Sequence, residues 1–435
     1  MDSEERRLHQ QNMKTYKGLS KKIFTLENFR KAYKNAIKGK KHYKEVKLIE
    51  RRGPVKYLRE LLKEVVDKTY EVSEYEIFKR FTGHKWREIY KLPMRDRIVQ
   101  HAIMNYLEPI FRETFILDTY SSIKYRGIHL GLSRVKKALR TGDYNYCLKL
   151  DIHKCYPSLD KEILKNKLAK KFKDDDLLWL LFKIVDSCEH GIPIGNYTSQ
   201  YFNNFYFSDF DHWIKEVKGI KAYFRYCDDI VILAKTKEEL EALLKEIFIE
   251  IEKLNVRLKD NWQIFPIEDR GISFLGYVIR HKYVRVRKNT RINFVTKTTK
   301  IDFNHLSPKD VNVLGSYWGI LKHADCRHLW FKYTGVKTFK DLNVSVHDRD
   351  FVKDLIDIPL VITNSWIYQK KGTDWLKFEC SYETRNKKDE VIKHENVLVS
   401  TSGEVLVEAG KQFTAASYPF ETVIIVNDKG YYQFT

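Results

Sequence analysis

The chain has 435 residues, of which 43% are hydrophobic and 14% aromatic. This excludes a wholly disordered protein and predicts two or three domains, each with its own core. The formal net charge of +21 is unevenly spread, with +25 in residues 1–340 and −4 in residues 341–435. A basic body followed by a mildly acidic module favours nucleic-acid binding along the first part; the alternative is a lysine-rich solvated surface.

Cysteine usage and the terminus indicate where the protein works. The six cysteines are scattered and include no CxxC pair, which fits a reducing compartment better than a disulfide framework. The first residues, "MDSEERRLHQ", lack the apolar region of a signal peptide. Apolar runs such as "LLWLLF" are far shorter than the roughly 20 residues that span a bilayer. We therefore expect a soluble, cytoplasmic protein.

The first third of the chain is predicted to be mainly helical. Residues 1–20 are a polar extension, and residues 21–75 alternate helical spacing with basic clusters such as "KNAIKGKKHYKEVK". The stretch "YEIFKRFTGHKWREIYKL" then predicts two strands around a turn at Gly83. The next stretch, "DRIVQHAIMNYLEPIF", returns to helical spacing.

The middle third mixes strands and helices. "YNYCLKLDI" predicts a strand that ends at Asp151, followed by two helices, and "GIPIGNYTSQYFNN" predicts a loop that leads into a third. "KAYFRYCDDIVILAK" predicts two short strands with an acidic pair at their junction, and Thr236 with Glu239 forms a capping box for the next helix. "ISFLGYVI" (272–279) predicts one closing strand. This order predicts a split βαβ layer, with helices on one face of an antiparallel sheet.

The last third changes character along its length. Residues 295–340 are basic and helical around "GSYWGILKHADCRHLWFKY". From about residue 345, stretches such as "LVITNSWIYQ" and "FETVIIVND" predict a β-rich module. Its aromatic residues are either core or stacking platforms for single strands or RNA: Trp366, Trp375, Tyr431 and Tyr432.

Three carboxylates are expected to converge at one edge of the split βαβ layer. Asp151 ends one strand, and Asp228 and Asp229 lie at the tip of the neighbouring hairpin. Three uncompensated carboxylates at close range repel one another, and divalent metal removes that conflict. Two Mg²⁺ ions could then catalyse an in-line displacement on a nucleotide. The alternative is that the two aspartates form an ordinary solvated turn.

These motifs, in this order, resemble those of reverse transcriptases. "FRYCDDIVI" resembles their Tyr-x-Asp-Asp motif, "LKLDIHKCYPSLD" their first palm motif, and "GISFLGY" their primer-gripping strand. "YKLPMRDRIVQHAIMNYLEPIF" and "YSSIKYRGIHLGLSRVKKAL" resemble the finger segments of prokaryotic members. The resemblance spans about residues 20–340. It implies an α+β right-hand polymerase, encoded by a bacterium or a phage, with fingers, a split βαβ palm, a helical thumb and an added C-terminal β-rich module. The implied domains are an N-terminal extension (1–20), fingers (21–140), palm (141–292), thumb (293–343) and β-rich module (344–435).

The resemblance also implies roles for individual residues. Asp151, Asp228 and Asp229 would be catalytic and would hold two Mg²⁺ ions, for which Mn²⁺ can substitute, with help from the backbone carbonyl of Ile152. Tyr156 would pack against the sugar and exclude a 2′-hydroxyl, unless it is an ordinary core aromatic. The primer-grip residues would be Phe274, Leu275 and Gly276.

Further residues would bind the incoming nucleotide. Arg80 and Arg87 match the fingertip positions that clamp the triphosphate, with Lys79 and Lys85 nearby; surface charge is the alternative for each. Lys259 is a candidate general acid for the pyrophosphate. The remaining nucleotide-binding candidates lie in the loop before the third palm helix and at the start of that helix: Ile194, Gly195 and Gln200.

Ile194 separates one branch of the family from the rest. Most reverse transcriptases have Gln at this position, whereas "IGNYTSQ" (194–200) resembles the enzymes of diversity-generating retroelements, which copy template adenines with low fidelity. Apolar contact discriminates by only about 1–3 kcal/mol, so Ile would penalise misaligned pairs less than a hydrogen-bonding Gln would. The alternative is that Ile194 packs under its loop and copying is faithful.

The implied partners are an RNA template, a DNA or RNA primer, dNTPs and a small basic accessory protein. A faithful or antiphage-defence-associated prokaryotic reverse transcriptase is the alternative enzyme. A basic RNA-binding scaffold with a vestigial palm is the alternative without activity.

Overall fold

The computed structural model describes residues 14–81, 86–303 and 306–336, together with five strands between residues 359 and 434. Gly83, Lys85 and Tyr431 lie outside the described residues. The chain divides into two compact units: residues 1–291 with 323–325, and residues 292–322 with 326–435.

The first unit begins with helices and one exposed hairpin. Its helices up to residue 139 are α1 (Ser20–Ile23), α2 (Leu26–Ala36), α3 (Lys44–Arg52), α4 (Pro54–Val66), α5 (Met94–Thr114) and α6 (Ile128–Leu139). The short strand β1 (Tyr16–Lys17) precedes them, and the hairpin β2 (Glu76–Phe81) and β3 (Trp86–Lys91) lies between α4 and α5. The hairpin pairs only with itself among the described strands. The predicted helices and the two predicted strands of this region are confirmed.

The rest of the first unit is an antiparallel sheet with its covering helices. The sheet has the order β6 (Tyr223–Tyr226), β7 (Asp229–Ala234), β4 (Tyr146–Asp151), β8 (Gln263–Pro266). The helices are α7 (Lys161–Lys171), α8 (Asp175–Val185), α9 (Tyr197–Tyr206), α10 (Ser208–His212) with a π-helical turn (Trp213–Val217), α11 (Lys237–Glu252) and α12 (Ile267–Arg270). Strand β5 (Phe172–Lys173) pairs with β1.

Side-chain caps explain where several of these helices begin. Asp160 accepts the backbone N–H groups of Glu162 and Ile163 at the start of α7, which satisfies donors that no helical carbonyl can reach. The predicted cap at Thr236 is present, since its hydroxyl accepts the N–H of Glu239 at 3.3 Å. The box itself is altered, because the Glu239 carboxylate accepts the N–H of Lys235 instead of that of Thr236.

The predicted single strand at residues 272–279 is wrong. The structure has a tight hairpin there, β9 (Ile272–Phe274) and β10 (Tyr277–Ile279), extended by β11 (Val284–Val286). Leu275 and Gly276 form the turn with φ values of 55° and 88°. Two successive residues with positive φ suit a two-residue hairpin loop, and glycine makes the second inexpensive.

The second unit contains helices with an aromatic core and a C-terminal sheet. Its helices are α14 (Pro308–Leu321), α15 (Arg327–Thr334) and most of α13 (Lys288–Thr298). Phe294 stacks on Trp330, which also contacts Trp318. The sheet is antiparallel, with the order β14 (Val391–Thr401), β13 (Thr373–Arg385), β12 (Pro359–Lys370), β15 (Phe420–Val426), β16 (Tyr432–Phe434).

The predicted fold class is confirmed. The chain is an α+β protein of the right-hand polymerase class, with a split βαβ palm layer and an added β-rich C-terminal module. Within the described ranges no helix is both long and apolar enough to cross a membrane. The side chains of Trp366, Trp375 and Tyr432 lie outside the description.

Candidate active site

The pairing of the central strands brings the three predicted carboxylates to one edge of the sheet. Asp151, the last residue of β4, lies directly opposite Asp229, the first residue of β7. The backbone N–H of Ile152 donates to the carbonyl of Asp228 at 3.1 Å, which extends the pairing past the turn. The register therefore fixes Asp151 beside Asp228 and Asp229, although 76 residues separate Ile152 from Asp228.

Lys259 balances the charge of Asp151 and lies near Asp228. Lys259 Nζ lies 2.8 Å from Asp151 Oδ1 and 4.0 Å from Asp228 Oδ2. Lys259 also donates its backbone N–H to the carbonyl of Asp151 at 2.8 Å. Although burial alone would lower the pKa of Lys259, its hydrogen bond to Asp151 and the nearby carboxylates raise it. Lys259 therefore remains protonated and could donate a proton at this edge of the sheet.

Asp229 has its own cations. Lys149 forms an ion pair with Asp229 Oδ1, and Arg287 Nη2 lies 4.0 Å from Asp229 Oδ2. Burial raises the pKa of Asp229, while Lys149 opposes that rise. The Lys149 ammonium group also lies over the ring of Phe274, 5.8 Å from its centroid. The predicted motif residues thus share the site with a lysine that the sequence motif did not single out.

The donor set suits Mg²⁺ in its chemistry. Carboxylate oxygens and a backbone carbonyl are the hard ligands that this ion prefers, usually with water and substrate phosphate completing the shell. Among the described residues, no group of three histidine, cysteine or acidic side chains is arranged as it stands to hold a metal ion. Because Lys149 and Lys259 now neutralise Asp229 and Asp151, an arriving cation would have to replace their ammonium groups.

The loop at residues 191–196 fits closely against two other backbones. A Cβ at Gly191 would overlap the backbone of Tyr156 and Pro157, and the N–H of Ile192 donates to the carbonyl of Tyr156 at 3.0 Å. Tyr156 is half-buried against the core, and burial raises the pKa of its hydroxyl. The loop therefore fixes the backbone of the residue predicted to select the sugar.

The other end of this loop contacts the exposed hairpin. Gly195 has φ = +136°, and a Cβ there would overlap the carbonyl oxygen of Tyr90 in β3. The N–H of Tyr90 donates to the carbonyl of Ile194 at 2.9 Å. The Ile194 side chain is half-exposed and Gln200 is exposed, whereas Ile192 is the buried isoleucine of the loop. Ile194 is thus accessible beside the base of the hairpin.

Helix α9 starts in an unusual way. Asn196 occupies the N-cap position without a side-chain capping bond. The side chain of Gln100, from α5, instead accepts the N–H groups of Tyr197 at 2.8 Å and Thr198 at 3.5 Å. Sequence reasoning missed Gln100 because its partner is 97 residues away; its only signal was a polar residue among the apolar positions of a buried helix.

The predicted triphosphate clamp lies on the exposed hairpin. Arg80 in β2 and Arg87 in β3 are register partners, so both side chains belong to the same face of the ribbon. Directly opposed like charges destabilise a strand pair unless an anion compensates them. Lys79 lies opposite Glu88, with 3.9 Å between its Nζ and Glu88 Oε1. The two arginines are thus available to an anion, whereas Lys79 already has a partner.

The predicted primer-grip residues form the β9–β10 turn. Phe274 and Leu275 are buried, and Gly276 is half-buried. The carbonyl of Gly276 accepts the N–H of Arg287 at 3.0 Å. Phe274 packs against Lys149, which pairs with Asp229, and Arg287 lies near Asp229 directly. The turn therefore supports the residues around Asp229. The primer-grip role itself stays a prediction.

Comparison with known proteins agrees with the position of this site. Residues 79–279 match the family model described as "Reverse transcriptase (RNA-dependent DNA polymerase)". Protein YkfC of Escherichia coli K12 is 24% identical over 240 residues, which cover 45% of this chain and 62% of YkfC. The putative COX1/OXI3 intron 2 protein of Saccharomyces cerevisiae is 22% identical over 333 residues, which cover 56% of this chain and 38% of that protein.

Two solved structures of telomerases show some likeness to this chain. Apo telomerase from Candida tropicalis has a TM-score of 0.43 at 13% identity, covering 65% of this chain and 59% of that one. Telomerase from Candida albicans in complex with a fragment of telomeric RNA has a TM-score of 0.40 at 12% identity, covering 69% and 63%. This chain thus spans less than two thirds of each of these proteins. Asp151, Asp228 and Asp229 all lie within the residues that match the reverse transcriptase family model.

Proposed function

We propose that the protein is an RNA-directed DNA polymerase that extends a primer along an RNA template. The observation that carries this proposal is the register of β4 and β7, which sets Asp151 opposite Asp229 and beside Asp228 within the matched domain. The net charge of +25 over residues 1–340 supports contact with a polyanionic template and primer.

The reaction joins the 3′-oxygen of the primer to the α-phosphorus of a dNTP and releases pyrophosphate. Two Mg²⁺ ions held by Asp151, Asp228, Asp229 and the carbonyl of Ile152 would supply activation of the 3′-hydroxyl and stabilisation of the leaving group. Lys259, freed from Asp151, can give its proton to the pyrophosphate oxygen that leaves.

Residues around the carboxylates would hold the nucleotide. Arg80 and Arg87 offer planar, permanently charged donors on one face of the hairpin, which suits a triphosphate. The ring of Tyr156, whose backbone the 191–192 loop holds, would leave no room for a 2′-hydroxyl and so favour deoxynucleotides. Gly195 and Gln200 would line the same pocket beside Ile194.

Primer extension by the purified chain tests this proposal. A defined RNA template, a DNA primer, Mg²⁺ and dNTPs should give extended products, and Asp228→Asn should abolish them. The parent protein should extend the primer more slowly with NTPs than with dNTPs. Tyr156→Ala should use NTPs much faster than the parent does. Equal extension by the parent and Asp228→Asn would contradict the assigned site.

We further propose that copying is mutagenic at template adenines, as in a diversity-generating retroelement. The half-exposed, apolar Ile194 beside the hairpin supports this, because it offers contact area without a hydrogen bond to the nucleotide or the template base. Sequencing of extension products should show errors concentrated opposite adenine, and Ile194→Gln should reduce them. Error rates equal at all four template bases would favour the faithful or defence-associated alternative.

The proposal includes a partner. A small basic accessory protein would deliver the cognate RNA, and the β-rich C-terminal module is its candidate contact because that part of the chain is mildly acidic. If neither the chain alone nor the chain with such a partner extended a primer, and Asp228→Asn left its cellular role intact, the RNA-binding scaffold would be the better description.

A further inference from the structure

A fully buried ion pair, Arg225 with Asp211, lies next to the turn that holds Asp228. Arg225 and Asp211 each have 0% exposed surface. Arg225 Nε donates to Asp211 Oδ1 at 2.7 Å, and Nη2 donates to Asp211 Oδ2. Asp211 also accepts the hydroxyl groups of Tyr223 and Thr119. Burial alone would lower the pKa of Arg225, but Asp211 raises it above its ordinary value, so the guanidinium stays charged.

The remaining donors of Arg225 reach the catalytic turn and helix α9. Nη1 donates to the carbonyl of Cys227 at 3.1 Å and to Asn204 Oδ1 at 3.3 Å, while Nη2 also donates to the Asn204 carbonyl at 3.5 Å. With the two bonds to Asp211, all five N–H groups of the guanidinium have an acceptor. A lysine could not serve these partners together, since it has three donors on one atom.

The turn needs such a support. Cys227 has φ = 58°, a left-handed conformation that a non-glycine residue adopts only when its surroundings impose it. The side-chain amide of Asn203 donates to the Cys227 sulfur at 3.6 Å, and Arg225 holds the carbonyl of the same residue. Both contacts act on the residue immediately before Asp228, so they set the direction in which the chain enters the carboxylate pair.

Stability alone does not explain this arrangement. A buried ion pair stabilises a fold no better than well-packed apolar residues of similar volume, because both charges lose their hydration. What an apolar pair lacks is a donor for the carbonyl of Cys227. The useful property of Arg225 and Asp211 is therefore the fixed geometry of the guanidinium.

We propose that Arg225, held by Asp211, is a positioning residue that sets the Cys227 carbonyl and thereby aims the Asp228 carboxylate at the cation site it shares with Asp151. The proposal rests on the polymerase function for its biological meaning. Lys259, which lies near both Asp151 and Asp228, marks where that shared cation would be.

Cation binding by the full-length chain, measured without catalysis, tests the proposal. Mn²⁺ is titrated and its free concentration followed by electron paramagnetic resonance. Arg225→Lys should raise the Kd of the Asp228-dependent site by about 10-fold or more, as loss of a contact behind a metal ligand usually does. In primer extension the same variant should need correspondingly more Mg²⁺ for half-maximal rate, with the KM for dNTP little changed.

A matched control uses the same substitution on another buried carboxylate. Arg134 pairs with Asp118, which is 2% exposed, through Nε and through Nη2 at 3.1 Å. The carbonyl of Asp118 accepts the backbone N–H of Arg225 at 2.9 Å, but this bond does not involve the side chain of Arg134, which the substitution changes. Arg134→Lys should leave the Kd for Mn²⁺ unchanged. An equal weakening in both variants would overturn the proposal, because the effect would then be a general loss of stability.

A second variant covers the case in which Arg225→Lys does not fold. Arg225→Gln with Asp211→Asn removes both charges together and leaves neither uncompensated, but shortens the reach to Cys227. A folded double variant that binds Mn²⁺ as tightly as the parent overturns the positioning role; weaker binding supports it.

The two proposals fail in different ways. A parent chain that binds Mn²⁺ through Asp228 but extends no primer contradicts the polymerase alone. A parent chain whose Mn²⁺ binding does not depend on Asp228 contradicts both.

Discussion

Two hairpins of the first unit have similar lengths and opposite surroundings. In the hairpin β2–β3 every side chain of Glu76–Phe81 is exposed, and the ribbon has no third strand among the described residues. In the hairpin β6–β7 every residue is buried except those around the turn and Ala234 at the far end of β7, and β4 pairs with its second strand. The first hairpin can therefore move without breaking a core, whereas the second cannot.

The two hairpins also differ in how their arginine charges are compensated. Arg80 and Arg87 face each other across the exposed ribbon and repel. Arg225 in the buried hairpin lies against Asp211, with both side chains fully enclosed. Two like charges on an exposed surface favour the binding of an anion between them. A buried, fully hydrogen-bonded ion pair instead holds the surrounding backbone in one geometry. We infer that the first hairpin binds substrate and the second holds the catalytic groups in place.

The largest expected effect is on catalysis in the buried hairpin region. Asp151→Asn should reduce primer extension at least about 1,000-fold, roughly 4 kcal/mol of transition-state stabilisation, because the substituted amide binds a cation much more weakly. Asp151 is partly solvated, so the melting temperature should change little. Asp260→Asn, on an exposed neighbour of Lys259, is the control and should extend normally. Near-normal extension by Asp151→Asn would remove the carboxylates from the mechanism.

The next effect is on stability and should separate the two hairpins. Asp211→Ala should lower the free energy of unfolding by about 3–5 kcal/mol, because it leaves the Arg225 charge buried without a partner. Glu88→Ala, which removes the exposed partner of Lys79, should cost less than about 0.5 kcal/mol. Urea unfolding measures both. Similar values for the two variants would mean that burial does not distinguish the hairpins.

Local sequence patterns predicted the elements and the position of the carboxylates. The alternation around "YCDD" and the strand that ends at Asp151 required only neighbouring residues to interpret, and the register then follows from the split βαβ order. The turn at Leu275 and Gly276 was missed because a leucine with positive φ gives no signal in the sequence. That position is set by tertiary packing, which overrides local preference.

Contacts between distant residues were beyond sequence reasoning. A charged residue two positions before Cys227, on a buried strand, is a visible anomaly, but its partner Asp211 lies in a separate helix. Gly195 belongs to a predicted loop, yet its contact with Tyr90 depends on how the exposed hairpin meets the palm. A single sequence carries no covariation that would connect such pairs.

The junction between loop and hairpin offers a test at a single glycine. Gly195→Ala should lower the free energy of unfolding by about 2–3 kcal/mol, since it combines an unfavourable φ with overlap against the Tyr90 carbonyl. Gly142→Ala shares a positive φ but meets open space, and should cost about 1 kcal/mol. Equal costs would show that the β3 backbone moves aside freely.

Substitutions in the exposed hairpin should weaken substrate binding and hardly change stability. Arg80→Gln or Arg87→Gln should raise the KM for dNTP about 10-fold, the value of one charge-assisted hydrogen bond. Either change should leave stability unchanged or raise it by about 0.2–1 kcal/mol, because it removes a like-charge pair. Arg59→Gln, on the exposed face of α4, is the control for general charge. A lower melting temperature with unchanged KM would assign the arginines to structure.

A pH dependence of stability is expected at the start of α9. Burial, together with the cations of Lys40 and Arg97, lowers the pKa of His101 from 6.5 to about 4, and its ring packs on Tyr197. The unfolded chain therefore binds this proton first, so the group removes stability as pH falls from about 6.5 towards 4. We expect a loss of about 2 kcal/mol across that window, less than the full shift implies because the ring is partly solvated. His101→Gln should flatten this limb when urea unfolding is compared at about pH 7, about 5.5 and about 4.5. An unchanged slope would mean that His101 is solvated in the folded chain and that the start of α9 is more open than its packing against α5 implies.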